Sequence, residues 1–402
     1  MIRVSAHVLH MKPSPTLQIK GIVERLLAEG RSVCNFGVGE LNPEIRTPRP
    51  LIEAIVGALE TDETHYSPSA GDPELREALS RDFRAFGLDY APSRIVVCPG
   101  PKDALFKACL TIMDRSARRN RVVSFAPIYE SFEQVPRIIT GLPPVVLETD
   151  ERFLPDLNRL ESTLKEDDSV AAVIINSPNN PSGAVYPHEF FEDLASLLSY
   201  HEEVAVLSDE VYRTVRYDET PYASIARLMP ERTLYIGGIS KEVSATGLRL
   251  GWVAGPASVM EALDRIEGNT SSCVHLPTQK GLARFLEADS DLGIRRGITV
   301  ELQQRRDRFV RLFRRAVPAA RLESPRGAFY AFPDVTGVLE AERRGAGRFA
   351  SDSELSLYLL NEAGVACLPG SSFYRPGHLR FAYALSPGDI ERGVQSVGRA
   401  LA

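Results

Sequence analysis

Seven short apolar runs rich in β-branched residues recur between residues 94 and 254, and amphipathic stretches separate most of them. The runs are Arg94–Cys98, Arg121–Phe125, Pro144–Glu148, Ala171–Asn176, Val204–Ser208, Thr233–Gly237 and Gly251–Ala254. Continuous apolar runs of this length are strands buried on both faces, and alternation with helical stretches such as Lys102–Ile112 and Glu189–Tyr200 makes the connections crossovers. The pattern predicts an α/β fold, a three-layer α/β/α sandwich around a mainly parallel sheet. Ligands in such sheets bind beyond the carboxyl ends of the strands, so chemistry is sought there.

The flanks read differently. A helix (Leu17–Glu29) and a strand (Ser32–Phe36) precede the alternating region. After about residue 290 come a long helix to about Val317, strands near 328–333 and 378–383, and a final helix near 387–401. This predicts a large domain over 49–290 and a smaller α+β domain built from 1–48 and 291–402. Arginines are dense over 295–315 at helical spacing, which predicts a solvated helix face.

Several classes drop out. The net charge of −6 argues against a protein that binds nucleic acid by phosphate neutralisation. Apolar runs such as Val204–Leu207 are too short to span a bilayer. The N-terminus lacks a signal-peptide core, so a cytoplasmic location is expected. Five cysteines with no C-x-x-C, and histidines with no H-E-x-x-H, point away from a disulfide framework or a metal site.

The strand ends carry the distinctive residues. Asn180 lies in the turn Asn176–Gly183, Asp209 and Tyr212 follow the Val204 strand, and Lys241 and Arg249 follow the Thr233 strand. Gly100–Ala104 opens a helix where backbone amides favour a phosphate. Singly, each has a plain structural reading, such as a helix cap by Asp209 or a surface lysine. Together they suit an aldehyde cofactor with a phosphate and a pyridine ring. A lysine forms the Schiff base, a carboxylate faces the ring nitrogen, and an arginine meets the phosphate. Lysine is scarce here, seven against 40 arginines, which makes Lys241 stand out.

These segments, with Lys12–Leu17, Gly37–Glu40, Tyr66, Gly71, Leu75-Arg76, Pro325–Tyr330 and His378–Arg380, resemble the fold-type I enzymes that use pyridoxal 5′-phosphate (PLP). The similarity is to the class I/II aminotransferases related to aspartate aminotransferase, over nearly the whole chain. It implies the PLP-dependent transferase fold, with 49–290 as the cofactor domain. It implies Lys241 as the Schiff-base lysine and proton-transfer base, Asp209 at the pyridine nitrogen, and Asn180 and Tyr212 at the ring hydroxyl. Tyr129 matches the ring-stacking aromatic. Gly100, Pro101, Lys102, Ser240 and Arg249 fall at the phosphate. Tyr66 is similar to the tyrosine that reaches the neighbouring subunit's cofactor, which implies a homodimer with shared sites. Arg380, Gly39 and Asn180 fall at the substrate, Arg380 and Gly39 at its α-carboxylate. Thr16 and Lys102 resemble residues that meet acidic side chains in some bacterial relatives, and Lys102 equally suits support of the phosphate turn.

Three positions depart from the family pattern: Pro101 offers no N–H, Gly238 stands where many relatives have a phosphate-binding serine, and Asn42-Pro43 replaces the usual segment after Glu40. The expected activity is amino transfer between an L-amino acid and a 2-oxo acid. The alternative on the same scaffold is a lyase or synthase acting by elimination, replacement or cyclisation. A regulatory binding module is disfavoured, because the scaffold leaves no room for a DNA-binding domain.

Overall fold

The computed structural model describes residues 2–4, 15–41, 43–114, 118–344 and 347–402, without the side chains of 15–17 and 343–344. Asn42, the segment 12–14 and the side chain of Thr16 therefore lie outside the described residues.

Twelve strands are described: β1 (Cys34–Asn35), β2 (Ile95–Cys98), β3 (Arg121–Phe125), β4 (Val145–Leu147), β5 (Val170–Asn176), β6 (Ala205–Asp209), β7 (Thr233–Gly238), β8 (Gly251–Ala254), β9 (Tyr330–Ala331), β10 (Val365–Ala366), β11 (Leu368–Pro369) and β12 (Leu379–Ala382). Strands β2 to β8 form one sheet in the order β2-β8-β7-β6-β5-β3-β4. These seven coincide with the seven apolar runs to within a residue or two.

All seven residues of β5 are buried, which is why its sequence shows no polar face. Alternate residues serve opposite layers. Ile174 joins a cluster with Leu105, Ala108 and Leu263 of the helices Pro101–Ile112 and Ala257–Thr270. Val173 and Ile175 join Leu160, Phe190, Phe191 and Leu194 of the helices Leu157–Glu166 and His188–Ser199 on the other face. One strand reverses: β8 is antiparallel to both β7 and β2. No long helix crosses the sheet between β7 and β8, only two short helical turns, so the chain returns antiparallel. That short return holds Lys241.

The chain ends pack together. β1 pairs parallel with β10, and β11-β12-β9 form an antiparallel sheet. Phe36, Phe309, Phe313 and Phe381 share one core there.

The arginine-rich helix, Gly293–Ala316, corrects the expectation of a solvated face. Arg296, Arg311, Arg314 and Arg315 are exposed, but Arg295, Arg305 and Arg306 are buried. Each buried arginine answers polar groups from distant segments. Arg305 donates to the carbonyls of Ala384 and Leu385 at 2.6 and 2.8 Å, and Arg306 to Asp218 and to the Pro325 carbonyl. No helix among the described residues is long and apolar enough to cross a membrane.

Candidate active site

The carboxyl ends of β5, β6 and β7, with the start of helix Pro101–Ile112, open on one cavity of about 400 Å³. Gly39, Pro101, Lys102, Tyr129, Asn180, Asp209, Tyr212, Ser240, Lys241, Arg249 and Arg380 line it, together with Asn176, Glu130 and Tyr330. Eleven residues singled out from the sequence thus meet in one space.

Sheet register places the acidic member. Asp209, the last residue of β6, lies opposite Asn176 on β5 and Ile236 on β7. It caps no helix; among the described residues its carboxylate accepts only from the Val211 N–H, at 3.3 Å. Burial pushes this carboxyl up to about 7, with Glu210 adding to the rise while the Val211 N–H and the charge of Lys241 oppose it.

Asn176 orders its neighbours. Its Nδ2 donates to the Asp209 carbonyl at 3.0 Å, and its Oδ1 accepts from the Asn180 N–H at 2.8 Å. The Pro-rich turn is thereby hung on the strand end. Asn180 Oδ1 then accepts from Arg380 Nη1 at 3.1 Å, while Arg380 Nη2 donates to the Gly37 carbonyl at 2.7 Å. The Arg380 guanidinium lies 4.7 Å from the Tyr330 ring and 5.0 Å from the Phe373 ring, both within cation–π reach. Its Nε is buried without a partner among the described residues.

Lys241 is half-buried in the four-residue helix Ile239–Glu242, and its Nζ donates to the Gly39 carbonyl at 2.6 Å. Desolvation lowers its ammonium to about 8; Glu40 opposes the shift, and Arg380, Arg249 and Lys102 add to it. Tyr212 Oη lies 2.9 Å from Tyr330 Oη. Burial, followed by the neighbouring Tyr330, raises the Tyr212 phenol well above its usual range, so it stays protonated.

The helix start explains two departures at once. Gly100 has φ +94°, and a Cβ there would meet the Arg249 guanidinium, so the turn needs glycine. A Cβ on Gly238 would lie 2.5 Å from Pro101 Cγ and 2.9 Å from the Leu250 carbonyl oxygen. The proline ring thus occupies the space a serine at 238 needs. Ser240 Oγ, buried in the same cavity, has no hydrogen-bond partner among the described residues. Lys102 lies over the Tyr129 ring at 5.5 Å and 3.8 Å from Glu130.

Tyr66 does not join this cavity. It is 83% exposed, at a surface depression shared with Cys273–Pro277. Tyr330, Asn176 and Glu130 were not singled out from the sequence. Tyr330 ends the Pro325–Tyr330 motif, its one signal in the sequence; Asn176 opens the turn that holds Asn180, and Glu130 follows Tyr129.

Residues 31–397 match the family described as aminotransferase class I and II. The chain is 33% identical to a bifunctional aspartate aminotransferase and glutamate/aspartate-prephenate aminotransferase of Petunia hybrida, covering all of this chain and 83% of that protein. It is 33% identical to a probable aspartate/prephenate aminotransferase of Aquifex aeolicus, over 99% of this chain and 98% of that one. The solved structure of aspartate aminotransferase from Thermus thermophilus with maleate superposes with a TM-score of 0.89 at 31% identity, covering all of both chains. These relatives do not favour the lyase alternative.

Proposed function

The chain belongs to the class I and II aminotransferases, and on that premise we propose that it holds PLP and moves an amino group between an L-amino acid and a 2-oxo acid. One observation carries the reading: Lys241, Asp209 and Arg380 face a single cavity from three separate segments.

The side chains fit the cofactor. Asp209 is a buried carboxylate with no cation bonded to it among the described residues, which suits a protonated pyridine nitrogen. Ser240 Oγ is a buried hydroxyl without a partner among them, which suits a phosphate oxygen. The amides at the start of helix Pro101–Ile112 and the Arg249 guanidinium would share that phosphate, with Pro101 giving no N–H. Tyr129 offers a ring face, and Asn180 and Tyr212 offer donors for the ring hydroxyl.

Bound PLP supplies a carbonyl that an amine can capture and a ring that draws electrons from the Cα of an attached amino acid. The protein does the rest. Lys241, lowered to about 8, gives up its proton far more readily than an ordinary lysine and serves first as nucleophile and then as the base that takes the Cα proton. The Gly39 carbonyl steers the amine meanwhile. Asp209 keeps the facing nitrogen protonated. The Arg380 fork, set by Asn180 and Gly37, grips the α-carboxylate and orients the Cα–H bond.

Lys102 at the cavity wall supports a dicarboxylic acid such as aspartate or glutamate as one partner, in line with the relatives' names. Exposed Ile52, Val56 and Leu59 form a stripe on helix Arg49–Glu60, and with Tyr66 they support a homodimer whose Tyr66 reaches the partner's cavity. A division into 49–290 and 1–48 with 291–402 is part of the proposal: the core around Phe36, Phe309 and Phe381 draws mostly on the second group, and Val211, Tyr212, Val215 and Tyr217 join it from the first.

The visible spectrum of the purified chain with PLP tests the proposal. We expect an absorption band from PLP bound at Lys241, bleached by an amino donor and absent in Lys241→Ala. A band that survives Lys241→Ala refutes it.

A further inference from the structure

Behind the cavity lies a charged cluster that the chemistry above does not use. Arg213 follows Tyr212 in the chain, and Glu242 follows Lys241. Both side chains are buried and neither lines the cavity. They meet each other: Arg213 Nε donates to Glu242 Oε1 at 2.9 Å. The same guanidinium donates through Nη2 to Asp82 and lies 4.4 Å from the Phe86 ring. Arg295 completes the cluster, reaching Asp82 at 2.8 Å, Asp289 at 2.7 Å and Glu242 at 3.9 Å.

Three carboxylates and two guanidiniums thus share one buried lattice, drawn from five places in the chain. Buried ion pairs contribute little net stability compared with apolar packing of the same volume, so stability alone does not account for this one. Its placement does. Lys241 stands in a four-residue helix, too short to hold itself, and Tyr212 stands in a turn without regular structure. The Arg213–Glu242 pair is a direct bond between these two turns, one residue beyond each functional side chain. Asp82 and Arg295 anchor that bond to the helices Pro73–Ala85 and Gly293–Ala316.

We propose that Arg213 and Glu242 are positioning residues whose ion pair locks the Tyr212 turn to the Lys241 turn, so that amine and phenol meet one bound group at a fixed spacing. The inference rests on the assignment of Lys241 as the residue that captures PLP, and the experiment separates the two.

The full chain, stripped of cofactor, is mixed with PLP. Covalent capture is followed by borohydride trapping and peptide mapping, total binding by equilibrium dialysis, and stability by thermal melting. The variants are Glu242→Gln, which keeps shape and removes charge, and Asp289→Asn, on the far side of the same lattice. The wild type is expected to be trapped at Lys241. Glu242→Gln is expected to be trapped at least tenfold more slowly, while dialysed binding changes less than threefold. Asp289→Asn is expected to lower the melting temperature yet be trapped at the wild-type rate. Wild-type capture by Glu242→Gln overturns the inference, and so does equal slowing in Asp289→Asn, which reduces the pair to fold support. If Glu242→Gln does not fold, Glu242→Asp is read the same way, with at least threefold slowing expected and an unchanged rate overturning the inference. A wild type trapped elsewhere overturns the assignment of Lys241, and this inference with it.

Discussion

Replacing Asp209 with asparagine measures the electrostatic cost that the cofactor site imposes on the fold. The carboxyl is 7% exposed and is pushed by burial from 3.8 up to about 7. A shift of about three units corresponds to about 4 kcal/mol. Between pH 4 and pH 7 the folded chain keeps a proton that the unfolded chain has released, so stability falls as pH rises, by about 1.4 kcal/mol per pH unit. The loss begins above the unfolded value and is complete once pH passes the folded one. Asparagine keeps the oxygen that accepts from the Val211 N–H and does not titrate. The cofactor-free Asp209→Asn variant should therefore match the wild type near pH 4 and exceed it by about 4 kcal/mol at pH 8. Glu210, pushed up to about 6, titrates in both chains and enters the difference only through its charge on Asp209, which acts in the same direction. Urea denaturation of both apoproteins at pH 4, 6 and 8 gives the numbers. A stability difference that does not change with pH would refute the reasoning. With PLP bound the ranking should reverse, because only the carboxylate pairs with a cationic ring nitrogen.

Lys241→Met carries the opposite pH sign. The ammonium is depressed from 10.5 to about 8, so its cost is present below pH 8 and relieved as pH rises to 10.5. The apoprotein variant should gain about 2 kcal/mol at pH 7, the shift being discounted because Lys241 is half-buried, and nothing at pH 10.5, by urea titration. Arg380→Ala should cut kcat/KM for amino acids by about two orders of magnitude, the equivalent of about 3 kcal/mol for a lost charge-paired contact, read by steady-state kinetics. Gly238→Ser should destabilise the chain by about 1–3 kcal/mol through overpacking against Pro101, and Pro101→Gly in the same chain should restore part of the melting temperature. An unchanged melting temperature in Gly238→Ser would mean that the ring does not fill that space.

The seven sheet strands were legible because strands buried on both faces leave unbroken apolar runs, as in Val170–Asn176. The reversal of β8 was not, since apolar pattern carries no direction; the short link through Lys241 carries it instead. The buried arginines were misread for a related reason. Helical spacing counts Arg305 and Arg306 as polar, and their partners, such as Ala384 and Asp218, lie 79 and 88 residues away. Lys107 had no evident role in the sequence and pairs in the core with Glu267, 160 residues on. The site itself was largely readable, because amines, carboxylates and guanidiniums at strand ends are conspicuous. Tyr330 was missed because a phenol in an apolar motif reads as core. Pro101 and Gly238 read as two separate losses, and packing joins them into one contact.

Amino transfer at Lys241 is tested most directly by a single-turnover half-reaction. Chain loaded with PLP is mixed with excess aspartate or glutamate, and absorbance, oxo acid and ammonia are followed together. Bound PLP is expected to become pyridoxamine phosphate with one equivalent of 2-oxo acid and no ammonia, and adding a 2-oxo acid is expected to restore it. Ammonia release with PLP left unchanged would contradict amino transfer.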